Sequence, residues 1–114
     1  MKQFFARRGI WTNGQWVPTA QINVLVALLD GCSLRSHRDL EGSKHYELHA
    51  LSGEKQRIKL DVVNSMRRKR LIETNHKFPS ATYLLTGHGE RVAHQLHSNP
   101  RYQPLTARKF TEKD

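Results

Sequence analysis

The apolar and polar positions along the chain change period several times, and each period predicts a different kind of element. Between positions 20 and 29, apolar residues recur at the spacing of one helix face: Ile22, Leu25, Val26 and Leu29. Thr19 is the predicted N-cap of this helix, and Gly31 is its predicted terminator. Apolar residues also lie outside the face, so we expect this helix to be the most buried element.

The segment before this helix, residues 1–18, predicts a β-hairpin. Asn13-Gly14 lies between Ile10-Trp11 and Trp16-Val17, and Asn-Gly between β-branched and aromatic residues is a strong signal for a two-residue turn. We expect Trp11 and Trp16 to pack on the core or on the first helix. Two tryptophans on so small an element would also suit a dimer or partner surface.

From Cys32 to Leu60 the period changes to two. Polar and apolar residues alternate over positions 45–51 and 56–60, and the segments 40–43 and 52–55 have the composition of turns. This pattern predicts two or three antiparallel strands with one polar face. A short helix over residues 43–51, ended by Gly53, is the alternative.

The next helix is predicted to run from Asp61 to Lys69. Asp61 suits the N-cap, because its carboxylate can accept hydrogen bonds from the free amides of the first turn. Val62 and Met66 would face the core, with help from Val63.

A strand, a polar loop, a strand and a last helix complete the pattern. The strands are predicted over residues 71–74 and 81–85, with the loop 75–80 between them. Thr86 is the predicted N-cap of a helix over residues 87–97. By length the chain is one domain, residues 1–100, followed by a basic tail, residues 101–114, that we expect on the surface or disordered.

Charge narrows the possible partners. The chain has 19 Lys and Arg against 10 Asp and Glu, a formal net charge of +9. A domain this basic is expected to meet nucleic acid, a membrane surface or an acidic protein. The longest apolar run, Val24 to Leu29, is far short of the ~20 residues that cross a bilayer, so no membrane partner is expected. A single cysteine, Cys32, and a start without a signal-peptide pattern indicate the cytoplasm.

Three segments resemble the winged helix-turn-helix DNA-binding superfamily over about residues 60 to 97. They are Lys69-Arg70-Leu71-Ile72, the loop Asn75 to Ser80, and Tyr83-Leu84-Leu85-Thr86-Gly87-His88-Gly89. Members often have a basic helix end, then "GLI", a variable wing, and "Y-x-L-T-x-x-G". This chain has arginine where the family commonly has the glycine of "GLI", and a β-meander where it has a supporting helix. A looser resemblance, to a small bacterial family described as toxins, rests on a basic helix that ends in Leu-Ile.

The resemblance implies an α+β fold with a winged-helix-like core, to which the chain adds the N-terminal hairpin and a small antiparallel β-meander. It also implies that the helix over residues 61–69 lies in the major groove of double-stranded DNA. The side chains then best placed for base edges are Asn64, Ser65 and Arg68. Those expected at phosphates are Arg67, Lys69 and Arg70, with His76 and Lys77 of the wing and Lys55, Arg57 and Lys59 of the preceding hairpin extending the basic surface. The simpler interpretation of these basic residues is that they form a solvated face, with arginine stems that cover apolar surface.

The sequence supports a catalytic or metal-binding role less well than it supports DNA binding. His88, His94 and His97 fall on one predicted helix, but zinc sites normally draw ligands from several rigid elements with supporting carboxylates. Asp39, Glu41 and Glu47 are too scattered for a magnesium nuclease, and Cys32 has no His-Asp pattern. We therefore expect no enzyme, no cofactor and no metal.

The leading hypothesis is a DNA-binding protein, a small bacterial or phage transcriptional regulator. Folds of this kind commonly work as homodimers, so a homodimer is expected. The alternative is a basic protein-binding module, such as a phage-encoded inhibitor or small toxin, that acts on an acidic or nucleic-acid-binding partner.

Overall fold

The computed structural model describes residues 8–77 and 80–99, which form an α+β fold, as predicted. Its elements in chain order are β1 Gly9–Thr12, β2 Gln15–Pro18, α1 Thr19–Leu29, β3 Ser33–Arg38, β4 Lys44–His49, β5 Lys55–Ile58, α2 Leu60–Arg68, β6 Ile72–Thr74, β7 Ala81–Leu85 and α3 Gly87–Ser98. The first residues of the predicted hairpin segment and the predicted basic tail lie outside the described residues.

The strands form one antiparallel sheet of five, in the order β5-β4-β3-β7-β6, and a separate two-stranded hairpin, β1-β2. Alternate residues of the large sheet are buried, among them Leu34, Tyr46, Leu48 and Tyr83. The residues between them are exposed or partly exposed, so one face of the sheet carries the core under the helices. We call the other face the open face.

Residues 44–49 are a strand, so the alternative of a helix over residues 43–51 is wrong. β4 lies inside the sheet, paired with β3 on one side and with β5 on the other. Its period of two places Tyr46 and Leu48 in the core and His45, Glu47 and His49 on the open face.

Helix α1 is the most buried helix of the described ranges, as its apolar pattern predicts. Its core residues are Ile22, Val24, Leu25, Val26 and Ala27. Gly31, with φ 107°, ends it: the amides of Gly31 and Cys32 donate to the carbonyls of Leu28 and Ala27. No helix in the described residues is long and apolar enough to cross a membrane.

Two of the three predicted N-caps are wrong by one or two residues. Pro18, not Thr19, precedes α1, and Lys59, not Asp61, precedes α2. Both cap residues keep the extended backbone of the strand before them, and neither makes a side-chain capping bond. The chain enters each helix from a strand, so the last extended residue becomes the N-cap. The predicted caps, Thr19 and Asp61, therefore lie inside the first turn of their helices.

The hairpin forms as predicted, but its tryptophans do not pack inward. Asn13 and Gly14 both have positive φ, 53° and 75°, as the two-residue turn requires. Ile10 and Val17 are a cross-strand pair on the inner face. The next pair, Trp11 and Trp16, therefore lies on the outer face, 65% and 37% exposed, and the expectation that it packs on the core is wrong.

Candidate nucleic-acid interface

Helix α2 is packed on one side and exposed on the other. Val63 and Met66 are fully buried, and Val62 packs partly against the core. Ser65 lies on the packed side, where its Oγ accepts a hydrogen bond of 3.0 Å from Nε2 of Gln21 in α1. This bond directs the Ser65 side chain toward α1, whereas base readout was predicted for it.

The other side of α2 gathers three of the predicted site residues. Asn64, Arg67 and Arg68 together line a shallow depression of about 340 Å³. Asn64 can pair with adenine through two hydrogen bonds and an arginine with guanine. The depression thus combines one amide and two guanidinium groups on one helix surface.

The arginines at this end of α2 are not neutralised by carboxylates. Within the described residues, the contacts between a carboxylate and a basic group of up to 4.0 Å are all made by histidines: His37 with Glu47, His49 with Glu47, and His45 with Asp39. No carboxylate of the described ranges therefore lies within 4.0 Å of the guanidinium groups of Arg67, Arg68 and Arg70. Like charges at this density favour a polyanion as partner.

Arg67 is held against the sheet while remaining exposed. Its guanidinium carbon lies 5.6 Å from the ring centroid of Tyr83, within cation–π range. Tyr83 in turn meets the ring of Tyr46 edge-on, with centroids 5.7 Å apart. Burial, followed by the neighbouring Tyr83, raises the pKa of Tyr46, and the Arg67 charge opposes this. Tyr83 thus holds the Arg67 side chain against the sheet.

Lys69 is occupied inside the protein. Its Nζ donates to the backbone oxygen of Trp16 at 3.1 Å and to Oε1 of Gln21 at 3.0 Å. Burial, followed by repulsion from Arg68, lowers the pKa of Lys69. Two of the three N–H donors of Lys69 are therefore used inside the protein, which leaves one for the predicted phosphate contact.

Arg70 adopts a conformation that arginine rarely takes. Its φ is 61°, in the left-handed region, and it follows the C-cap of α2. The amides of Arg70 and Leu71 donate to the carbonyls of Arg67 and Met66, the helix end in which glycine is preferred. Arginine thus occupies a left-handed position at a helix end, where glycine is ordinarily preferred.

The Leu-Thr-x-x-Gly segment fixes this helix end to α3. Thr86 Oγ1 accepts from the amide of Gly89 at 2.9 Å, so Thr86 is the N-cap, as predicted. The same hydroxyl donates to the backbone oxygen of Arg70. A Cβ at Gly89 would lie 1.9 Å from the backbone oxygen of Leu71, so only glycine allows this approach.

The predicted wing is the loop between the paired strands β6 and β7. The side chain of Asn75 organises it: Oδ1 accepts from the amides of Lys77 and Thr82, both at 3.1 Å. His76, with φ 61°, and Lys77 are both exposed. Phe78 and Pro79, at the tip of the predicted loop, lie outside the described residues.

The cations of β5 are separated from the others. Lys55 and Arg57 alternate with Gln56 and Ile58, and they point to the open face while Ile58 is buried. Lys59 is the exposed N-cap of α2, at the opposite end of that helix from Arg68. The predicted tract from Lys55 to Arg70 is therefore divided. Lys55 and Arg57 lie on the open face of the sheet, whereas Asn64, Arg67 and Arg68 lie on the exposed side of α2, which we call its outer side.

Histidines and carboxylates meet on the open face. His37 and His49 both contact Oε1 of Glu47, at 3.5 and 3.3 Å. Burial, followed by the charge of Arg35, lowers the pKa of His49. In the described ranges no three His, Cys, Asp or Glu residues converge as metal ligands.

The sequence interpretation missed Gln21 and Tyr83. Gln21 bonds Ser65 and Lys69, and Tyr83 supports Arg67. Gln21 is separated from its partners by 44 and 48 residues, so no local pattern signals the role.

No family model, no curated protein and no solved structure matches the chain.

Proposed function

We propose that the protein binds double-stranded DNA with the outer side of α2 and the adjoining wing. The observation that carries this proposal is the set Asn64, Arg67 and Arg68, which shares one depression and meets no carboxylate in the described part of the chain. Amide and guanidinium groups are the side chains that read adenine and guanine in the major groove.

The order of elements supports a winged-helix interpretation of this surface. Helix α2 leads into β6, the loop returns along β7, and α3 follows, with β6 and β7 paired around the loop. A winged helix uses this order to present one helix to the major groove and the loop beside it. In this interpretation, the β4-β5 hairpin would take the place of the supporting helix, because it precedes α2 along the chain.

The side chains divide by role. Arg68 and Asn64 are the proposed base contacts, and Arg67, held over Tyr83, is a proposed phosphate contact that positions the helix. His76 and Lys77 would approach the backbone or minor groove from the wing. Ser65 and Lys69 serve the fold instead, because both are bonded to Gln21.

The conformation of Arg70 supports the same surface. A left-handed backbone costs an L-residue other than glycine on the order of 1–2 kcal/mol. Strain of this kind concentrates at functional sites. A phosphate contact by Arg70 would give the arginine a use that offsets this cost.

The biological role that suits such a surface is transcriptional regulation by a small bacterial or phage protein in the cytoplasm. The proposal includes no catalytic step. A homodimer would place two copies of α2 in the major groove about one helical turn, roughly 34 Å, apart.

The test is the salt dependence of duplex affinity, measured by fluorescence anisotropy on a random-sequence duplex between 50 and 200 mM salt. Each phosphate contact contributes about 0.9 to the slope of log affinity against log salt. Arg67→Ala should lower the slope by about one unit, and Arg68→Ala should weaken binding to the sequence that the unmodified chain selects about tenfold. Asn64→Ala should leave affinity for random duplex nearly unchanged but reduce discrimination in a sequence selection.

Arg35→Ala is the matched control, since Arg35 is an exposed arginine in β3, where its cross-strand partner Glu47 lies on the open face. It removes the same charge and should change affinity by less than about twofold. Two results would overturn the proposal: no duplex binding at 50 mM salt, or equal losses in Arg35→Ala and Arg68→Ala. Equal losses would mean that net charge, not the α2 surface, holds the DNA.

A further inference from the structure

The outer edge of β5 combines free backbone groups, an apolar pocket and two cations. β5 is the last strand of its sheet, and no described strand pairs with its other side. Exposed edges are templates for an additional strand unless something covers or opposes them.

The pairing with β4 determines which backbone groups are free. Ala50 donates to the carbonyl of Glu54 at 2.8 Å, and Gln56 and Ile58 lie opposite Leu48 and Tyr46. Hydrogen-bonded pairs alternate along an antiparallel ladder, so Gln56 and Ile58 bond to β4. The amides and carbonyls of Lys55 and Arg57 therefore point outward, giving four backbone groups for a new strand.

A pocket of about 220 Å³ adjoins this edge on the side of the helices. Residues 56–59 form one wall, and the apolar lining comes from Val24, Leu48, Ile58 and Val62. The volume is below the ~300–1,000 Å³ of small-molecule sites. It suits one apolar side chain of a docked segment.

The charges on the other side of the strand specify the partner. Lys55 and Arg57 are exposed on the open face. Glu47, the cross-strand neighbour of Arg57, contacts His37 and His49 instead, so no carboxylate in the described residues pairs with Arg57. Like charges directly opposite destabilise a strand pair, which disfavours a second copy of this +9 chain and favours acidic side chains.

We propose that β5 binds an extended acidic segment of a partner protein as a sixth strand. The segment alternates acidic and apolar residues: acidic side chains face Lys55 and Arg57, and an apolar side chain between them enters the pocket. The backbone hydrogen bonds give affinity for any extended segment, and the pocket selects among segments by their side chains, as in other cases of strand addition. This surface is distinct from the outer side of α2.

The probe is a fluorescein-labelled seven-residue peptide of alternating glutamate and valine with blocked ends, kept at a fixed low concentration while the full chain is titrated in at 50 mM salt. Anisotropy should rise to saturation below about 1 mM protein, the range of a weak, short-peptide interaction. A peptide of alternating glutamate and serine, which cannot fill the pocket, should bind at least about tenfold more weakly. Amide exchange by NMR should show new protection at Lys55 and Arg57, while the ladder amides of Gln56 and Ile58 change little.

Three variants separate the contributions. Ala20 is an exposed residue of α1 that lines the pocket, so Ala20→Phe should fill it and weaken the glutamate-valine peptide at least about tenfold. His94→Phe, at an exposed position of α3, is the matched control and should bind as the unmodified chain does. The double variant Lys55→Gln with Arg57→Gln should weaken the peptide about tenfold or more.

Several results would overturn the proposal. They are no binding at 1 mM protein, equal affinity for the serine peptide, no loss with Ala20→Phe, or no protection at Lys55 and Arg57. A large loss of duplex affinity in the Lys55 and Arg57 double variant would assign these cations to nucleic acid and would also overturn it. Duplex binding by the unmodified chain is measured separately, so either proposal can fail alone.

Discussion

The ammonium group of Lys69 donates a hydrogen bond of 3.1 Å to the backbone oxygen of Trp16. The two residues are 53 positions apart, and the bond ties the N-terminal hairpin to the end of α2. The same ammonium group reaches Gln21 of α1, so one side chain joins three elements. In a run of four cations, this one serves the fold, while its neighbour Arg68 faces outward.

We expect Lys69→Met to lower stability and Arg68→Met to lower affinity for duplex DNA. Methionine keeps an apolar stem at both positions. Lys69→Met loses two hydrogen bonds and should lower the free energy of unfolding by about 1–3 kcal/mol, with little effect on duplex affinity. Arg68→Met should change stability by less than about 0.5 kcal/mol and weaken the duplex complex. Urea unfolding and anisotropy measure the two quantities, and equal losses of affinity would mean that Lys69 does contact DNA.

Two glycines of one helix turn should respond differently to alanine. A Cβ at Gly89 meets the backbone oxygen of Leu71 at 1.9 Å, whereas one at Gly87 meets only a guanidinium nitrogen of Arg91 at 3.7 Å. Gly89→Ala must displace α3 from the Arg70–Leu71 segment and should cost about 3 kcal/mol. Gly87→Ala should stabilise by about 0.4–1 kcal/mol, because it restricts the unfolded chain. Thermal and urea unfolding would detect both changes, and similar midpoints for the two variants would contradict the close packing.

Stability should fall on acidification because of His49. Burial, followed by the charge of Arg35, lowers the pKa of His49 below its ordinary value near ~6.5. Between the lowered pKa and ~6.5 the unfolded chain binds more protons, so the free energy of unfolding decreases as the pH falls through this window. His49→Gln removes the titrating group and should give a shallower decrease in urea unfolding between pH 7.5 and 5.0.

Asp39 provides a control in a different pH range. A hydrogen bond from His45 lowers the pKa of this exposed carboxyl. The stabilisation that this lowered pKa gives the folded state is fully present above the pKa of the unfolded chain, near ~3.9. It is lost as the pH falls through the pKa of the folded chain. Asp39→Asn should therefore alter the pH dependence below about pH 4, whereas His49→Gln should leave that acidic range unchanged. A stability that rises on acidification from pH 7.5 to 5.0 would contradict the direction given for His49.

Local patterns predicted most of the elements, since turns, caps and alternation act over a few residues. Asn13-Gly14 indicated the hairpin, alternation from residue 45 indicated β4, and Thr86 indicated the start of α3. The face of the hairpin could not be inferred this way. Ile10-Trp11 and Trp16-Val17 each offer one apolar residue to either face, and packing on α1 and α3 selects Ile10 and Val17.

The candidate site was predictable in residue type but not in grouping. Lys55, Arg57 and Arg68 were predicted to form one basic tract because they are close in the sequence, which says nothing about the faces on which they lie. In the fold, the strand period turns the first two to the open face, while Arg68 lies with Asn64 on a helix. The bonds of Gln21 to residues more than 40 positions away depend on tertiary packing and leave no local signal.

Arg70 offers the most direct test of whether strain and DNA binding are coupled. Its φ of 61° suits glycine at this helix end. Arg70→Gly should therefore raise the free energy of unfolding by about 0.5–1 kcal/mol and, by removing a proposed phosphate contact, reduce the salt slope of duplex affinity by about one unit. Arg70→Asn tolerates the same backbone without the charge and should show the same loss of slope. Arg70→Lys keeps the charge and should retain both the stability and the slope of the unmodified chain. An unchanged slope in both the glycine and asparagine variants would show that the arginine conformation is unrelated to DNA, and the surface would then depend on Asn64, Arg67 and Arg68 alone.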